Sequence, residues 1–175
     1  MYWKLVLAAG WLSVASLCGP AAAQDFGAAF QGLSTDSDQP IQIESDRLEI
    51  RDTDKIAVYS GNVRVQQGVT TLTTTTLNVH YSGDAKNGAP GSTVDRIEAG
   101  PPVVVKAEDR TATGDHALFE MDHDMVTLTG NVVLTQGDNV VHGERLVVNL
   151  KSRQARMEGG RVQTVITPRA AKPTQ

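Results

Sequence analysis

Apolar and polar side chains alternate with a period of two from residue 41 almost to the end of the chain. Ile41 and Ile43 alternate with Gln42 and Glu44, and Leu48 and Ile50 with Arg47, Glu49 and Arg51. Ile56 and Val58 follow, then Val63 and Val65 against Arg64 and Gln66. Successive strand residues point to opposite faces, so the pattern gives each strand one dry and one wet face, as in an antiparallel sheet. A Gly- and Asn-containing stretch at 82–92 is expected to be a flexible loop. Beyond it, apolar segments recur at 94–98, 103–106, 117–121, 126–129, 132–136, 140–142, 146–150 and 162–166. About sixteen short strands are predicted, with no helical period outside the N-terminal region. The run "TTLTTTT" at 70–76 agrees, because consecutive threonines crowd a helix and suit a pleated strand. The chain is predicted to be all-β.

The pattern is also duplicated. "SGNVRVQQG" at 60–68 returns as "TGNVVLTQG" at 129–137. An offset of 69 residues superposes Gly61, Asn62, Val63, Gln67, Gly68, Leu77 and Val79 on the identical Gly130, Asn131, Val132, Gln136, Gly137, Leu146 and Val148. Asp46 meets Asp115, and Ile50 meets Phe119. Two related units, at about 46–81 and 115–150, are the mark of an array whose members stack to bury a shared face. Each Gly-Asn pair has two readings, a bulge within one long strand or a two-residue hairpin turn between two strands.

The ends read differently. Met1-Tyr2-Trp3-Lys4, an apolar run from Leu5 to Leu17 and the small residues Ala21 to Ala23 predict a secretory signal segment at 1–23, cleaved after Ala23. The run falls short of the roughly 20 apolar residues a membrane span needs. Cys18 raises the alternative of a lipid anchor, which Leu17 disfavours because that chemistry prefers a small residue before the cysteine. Cleavage removes the only cysteine, leaves 152 of 175 residues and, with the loss of Lys4, moves the net charge from −4 to −5. Residues 24–38 and 168–175 are small and polar and are expected to be disordered tails around a domain at 39–167. The acidic balance offers no footprint for nucleic acid.

Candidate chemistry is thin. The histidines are His80, His116, His123 and His142, and the densest ionisable cluster is Asp115, His116, Glu120, Asp122, His123 and Asp124. Asp122, His123 and Asp124 read as a polar turn between strands, so no metal site is expected. Nucleophile elbows and phosphate-cradling glycine loops are missing from the sequence, and Glu44 with Asp46 reads as a solvated face. Neither an enzyme nor a cofactor is expected. What remains is the apolar face: Val63, Val65, Leu77 and Val79 in one unit, Val132, Leu134, Leu146 and Val148 in the other, with Ile41, Ile43, Ile50, Val58 and Phe119. Such a face builds either a filled sandwich core or a partly open groove for an acyl chain, and periodicity leaves both open.

"QPIQIESDRLEI", "VYSGNVRVQQGVTTLTTTTLNVHY" and "LTGNVVLTQGDNVVHGERLVVNL" resemble the OstA-like family over residues 39–160. The resemblance implies an open, twisted antiparallel β-jelly roll in the periplasm. Its apolar interior would hold the lipid A acyl chains of lipopolysaccharide while the sugars stay outside, bridging inner and outer membranes for export. It further implies head-to-tail joining of protomers and capping by an inner-membrane LptC-like and an outer-membrane LptD-like component. Ile41 and Ile43 at one end, and Val162 and Ile166 at the other, are expected to mark the joining edges. Arg47, Arg64, Arg110 and Arg145 are expected on the solvated surface. The rival reading is a structural cell-envelope β-protein with a filled core and protein-only contacts.

Overall fold

The structure is a computed structural model that describes residues 29, 30, 33, 39–83 and 93–167. The expected signal segment 1–23, the tail 168–175 and positions 84–92 of the loop lie outside the described residues, as does all of 24–38 except Ala29, Phe30 and Leu33.

Among the described residues, twelve strands pair antiparallel in one sheet. They are β1 (Ile41–Glu44), β2 (Arg47–Arg51), β3 (Ile56–Gln67), β4 (Thr70–Ser82), β5 (Thr93–Ala99) and β6 (Val103–Ala107), followed by β7 (Arg110–Gly114), β8 (His116–Glu120), β9 (Met125–Gln136), β10 (Asn139–Asn149), β11 (Gln154–Glu158) and β12 (Gln163–Val165). A crease crosses the sheet. β3, β4, β9 and β10 run through it, whereas the other strands stop at it, so the twelve strands make up sixteen short segments.

The first arm orders β1, residues 63–67 of β3, 70–74 of β4, β6, β7, 132–136 of β9, 139–143 of β10, and β12. The second arm orders β2, 56–60 of β3, 76–82 of β4, β5, β8, 125–129 of β9, 145–149 of β10, and β11. The arms share one hydrophobic core, in which Val65, Leu72 and Val105 of the first arm join Tyr59, Leu77 and Phe119 of the second. The fold is an open β-jelly roll, since its edge strands are not paired with one another.

The crease settles the Gly-Asn question. Ser60 pairs with Thr76 and Val63 with Thr74, so Gly61 and Asn62 oppose Thr75 alone, a bulge within a continuous strand. Gly130 and Asn131 oppose Glu144 in the same way. Gly61 and Gly130 take φ of 77° and 78°, and Asn62 and Asn131 both take 47°. Glycine enters this left-handed region freely, and asparagine more readily than most side chains. The hairpins fall instead at Gly68 and Gly137, with φ of 56° and 54°.

The two bulge residues preserve the inward parity of β3, so Ala57 and Tyr59 share a face with Val63 and Val65. β4 contributes one residue at the crease and switches parity, from Thr70, Leu72 and Thr74 to Leu77, Val79 and Tyr81. The threonine run therefore turns inward at Thr70 and Thr74. The Thr74 hydroxyl donates to the carbonyl of Gly100, and that of Thr75 to the carbonyl of Pro101 at 2.6 Å, which anchors the crease to the β5–β6 connection.

Candidate functional site

Inward side chains line up across the strands in rows that follow the crease. In the second arm, Ile50, Ala57, Val79, Ile97, Phe119, Val126 and Val148 are successive cross-strand partners. In the first arm, Ile43, Val65, Leu72, Val105, Ala112, Leu134 and Val141 form the matching row. Each row of seven residues, at about 4.8 Å between neighbouring strands, is about 29 Å long and runs from the β1 or β2 edge to β10; the next partners, Thr164 of β12 and Ala155 of β11, are exposed.

Most of the residues expected on this face are there. Val63, Val65, Leu77, Val79, Phe119, Val132, Leu134, Leu146 and Val148 are buried. Ile43 and Ile50 pack against the same cluster, and Ile41 lines its cavity while half-exposed. Val58 does not belong with them. It pairs with Glu49 and Asn78, on the face opposite Ala57 and Tyr59. Residues 58 and 63 differ in parity, and a two-residue bulge cannot bring them to one face. Arg110 is a second correction: it shares the inward parity of Ala112 and Gly114 on β7 and is only partly exposed.

Sequence reasoning missed Tyr59, Leu72, Tyr81, Val105 and Leu128, all buried. The alanines Ala57, Ala99, Ala112 and Ala117 also fill row positions, and the parity of their neighbours is the signal that identifies them. The Tyr81 hydroxyl donates to Asp52 Oδ1 at 3.3 Å. Burial, and then the adjacent Asp52 carboxylate, push the Tyr81 phenol above its ordinary pKa; burial alone does so for Tyr59.

Among the described residues, part of the space between the arms is occupied. Ala29, Phe30 and Leu33, from a segment expected to be a disordered tail, are buried in the core cluster, Phe30 completely. Leu33 borders a residual cavity of about 20 Å³ between Val65 and Leu72 on one side and Leu77, Phe119 and Met121 on the other. That is room for about one water molecule.

The ionisable cluster at 115–124 separates. Asp115 accepts a hydrogen bond from Asn131, and Asp122 and His123 lie in a 3₁₀ turn, Met121–His123. Among the described residues no group of three or more His, Cys, Asp or Glu side chains is arranged to hold a metal, and no helix is long and apolar enough to cross a membrane. At the two ends of the first arm, β1 pairs with β3 and β12 with β10, each leaving its outer edge unpaired among the described strands. Val162 and Ile166 flank β12 and are exposed.

Comparison with known proteins gives a consistent result. Residues 42–154 match the family model described as LptA/(LptD N-terminal domain) LPS transport protein. The chain is 36% identical over 170 residues to an uncharacterized protein of Rhizobium meliloti strain 1021, covering 95% of this chain and 91% of the relative. It is 29% identical over 146 residues to the lipopolysaccharide export system protein LptA of Escherichia coli K12, covering 78% and 75%. A crystal structure of LptH, the LptA-homologous periplasmic component of the lipopolysaccharide transport device of Pseudomonas aeruginosa, superposes with a TM-score of 0.63 at 23% identity. That match covers 76% of this chain and 99% of the other, and it shows the shared fold.

Proposed function

The chain belongs to the LptA/LptD N-terminal-domain family of lipopolysaccharide transport proteins, and from that premise we propose that it carries lipopolysaccharide by the acyl chains through the periplasm, bridging inner and outer membranes. The observation that carries this reading is the pair of unbroken apolar rows running from the β1 and β2 edges across the sheet to β10. Shielding a chain of about twelve methylenes is worth roughly 10 kcal/mol at about 0.8 kcal/mol each, so bare acyl chains do not cross an aqueous space. Such rows would let a chain advance across the sheet without leaving apolar contact.

The same geometry supports assembly. Strand addition at β1 and β12 would continue the first arm from one protomer into the next, or into LptC-like and LptD-like partners at the inner and outer membranes. Neither role requires a cofactor or a reaction. Entry of lipid requires Ala29, Phe30 and Leu33 to give up their place between the arms.

The burial of Ala29, Phe30 and Leu33 in the core favours a second reading, a structural envelope protein whose core never opens. A photoreactive residue at Val63 or Val132 separates the two. Crosslinks to lipopolysaccharide from a folded protein support the carrier. Crosslinks confined to protein, in cells making normal lipopolysaccharide, support the structural alternative.

A further inference from the structure

The inward face changes character at the tip of the first arm. There the row passes through Gln67, Thr70, Ala107, Arg110 and Gln136, each the cross-strand partner of the next. Gln67 is only 3% exposed and borders the residual cavity. Its Nε2 donates to the carbonyl of Gln39, but its Oε1 is buried and unpartnered. Gln136 Oε1 and Arg110 Nε are likewise buried without partners, while Arg110 Nη1 stands 3.7 Å from Glu108 and 4.0 Å from Asp109. Across the cavity from Gln67 the second arm presents Met121 and Phe119, so one lip of the groove is polar and the other apolar.

Unpartnered buried acceptors are costly unless a ligand completes them. Gln67 and Gln136 are equivalent positions of the two units, and each ends an apolar strand face, Val63 and Val65 before Gln67, and Val132 and Leu134 before Gln136. Residue 41, the partner of Gln67, is the equivalent of Arg110, the partner of Gln136. The first station thus offers an acceptor beside isoleucine, and the second an acceptor beside a guanidinium.

We propose that Gln67, and Gln136 with Arg110, are two polar stations that take the hydroxyl group near the polar end of a hydroxyacyl chain while its methylenes lie on the apolar rows. This deepens the acyl-carrier reading and rests on it. A hydroxyl donates to the glutamine oxygen and accepts from the guanidinium. An unsubstituted acyl chain can do neither near its head and leaves the acceptors bare. The groove therefore selects hydroxyacyl lipids over the plain fatty-acyl chains of ordinary membrane lipids.

The test is displacement of a fluorescent fatty acid from the full chain by 3-hydroxytetradecanoate and by tetradecanoate, which differ by one hydroxyl. Wild-type protein is expected to bind the hydroxy acid about tenfold more tightly. Gln67→Leu/Gln136→Leu should reduce that preference, read as the ratio of the two affinities, to about twofold or less. Equal affinities in the wild type overturn the stations and leave the acyl groove standing, whereas displacement by neither acid overturns the groove as well. The wild-type comparison needs no variant, and Arg110→Gln, which weakens one station only, gives a second reading of the same preference.

Discussion

The side-chain amide of Asn62 donates a 2.8 Å hydrogen bond to the carboxylate of Asp46, sixteen residues earlier in the chain. Asn131 repeats it on Asp115 at 3.0 Å and the same separation. In each unit the aspartate backbone N–H also donates to the bulged glycine, Gly61 or Gly130, at 2.9 Å. The aspartate thus grips both residues of the bulge and ties the crease of a continuous strand to the break between two shorter ones. The repeated motif is a pair of hinges fixed at the fold of the sheet.

Removing one grip should therefore loosen the crease. Asp46→Ala or Asp115→Ala is expected to lower stability by about 1–2 kcal/mol, since the bond is charge-assisted but exposed. Gly61→Ala should cost more, about 2–3 kcal/mol, because its φ of 77° strains any side chain and the added Cβ would run into Asp46. Urea unfolding of the three variants measures this. A neutral Gly61→Ala would mean that the bulge is not needed to fold the sheet.

Strand content, the two units and the inward set from Val63 to Val148 were legible because β-alternation and repetition are local signals. The crease was not. Whether Gly61-Asn62 bends a strand or ends it depends on what Thr75 and Asp46 do opposite it, and those partners lie more than ten residues away. Val58 was misplaced for the same reason, since parity across a bulge depends on how many residues it inserts. Phe30 stands among small and polar residues, and burial of one aromatic ring needs no periodic segment around it, so no local pattern marks it. Gln67 and Gln136 were visible as an identical pair in the two units, but nothing local says that a glutamine faces inward.

Phe30 occupies the space an acyl chain would use, so its truncation should act with opposite signs on stability and on binding. Phe30→Ala is expected to lower unfolding stability by about 3–5 kcal/mol, the range for losing a buried ring. The same change should raise affinity for a fluorescent fatty acid severalfold, because the competitor is weakened. Loss of stability without any gain in binding would show that Phe30 is core and that lipid goes elsewhere.

Alkaline pH offers a second handle on the core. Burial raises the Tyr59 phenol above its ordinary value, and burial with the Asp52 carboxylate raises Tyr81. An unfolded tyrosine releases its proton near pH 10, whereas these two retain theirs in the folded state. Their neutral form is favoured by folding, so stability is held below about pH 10 and declines as pH rises through the folded values. Tyr59→Phe should flatten that decline in melting curves recorded from pH 8 to 11; an unchanged slope would remove Tyr59 as a contributor.

The four open edges differ in charge. β2 reads Arg-Leu-Glu-Ile-Arg and β11 ends Arg-Met-Glu, whereas β1 has Glu44 alone and β12 has no charge. Charged edges resist strand addition and uncharged ones invite it, so β1 and β12 are the pair suited to head-to-tail joining. Ile41→Lys and Val165→Lys, each at an exposed position, should hold the protein monomeric at concentrations where the wild type forms oligomers by light scattering. Mixing the two variants should yield dimers and nothing longer, because each keeps one intact edge. Oligomers of wild-type length from either variant would move the joint to another surface.

A carrier must hold an acyl chain without trapping it, which requires successive positions along the rows to be nearly equal in energy. The rows meet this with Val, Leu, Ile and Ala, and Phe119 is the one aromatic ring among the rows through Ile50 and Ile43. Trp in place of Val65 or Leu134 would add a large apolar surface at one point of the first-arm row and create a local well or a block. Transfer of lipopolysaccharide from one vesicle population to another through the purified protein is expected to slow about tenfold or more, a barrier of roughly 1.4 kcal/mol, while circular dichroism stays that of a folded sheet. Undiminished transfer by folded Val65→Trp and Leu134→Trp proteins would mean that the acyl chains do not travel along this row.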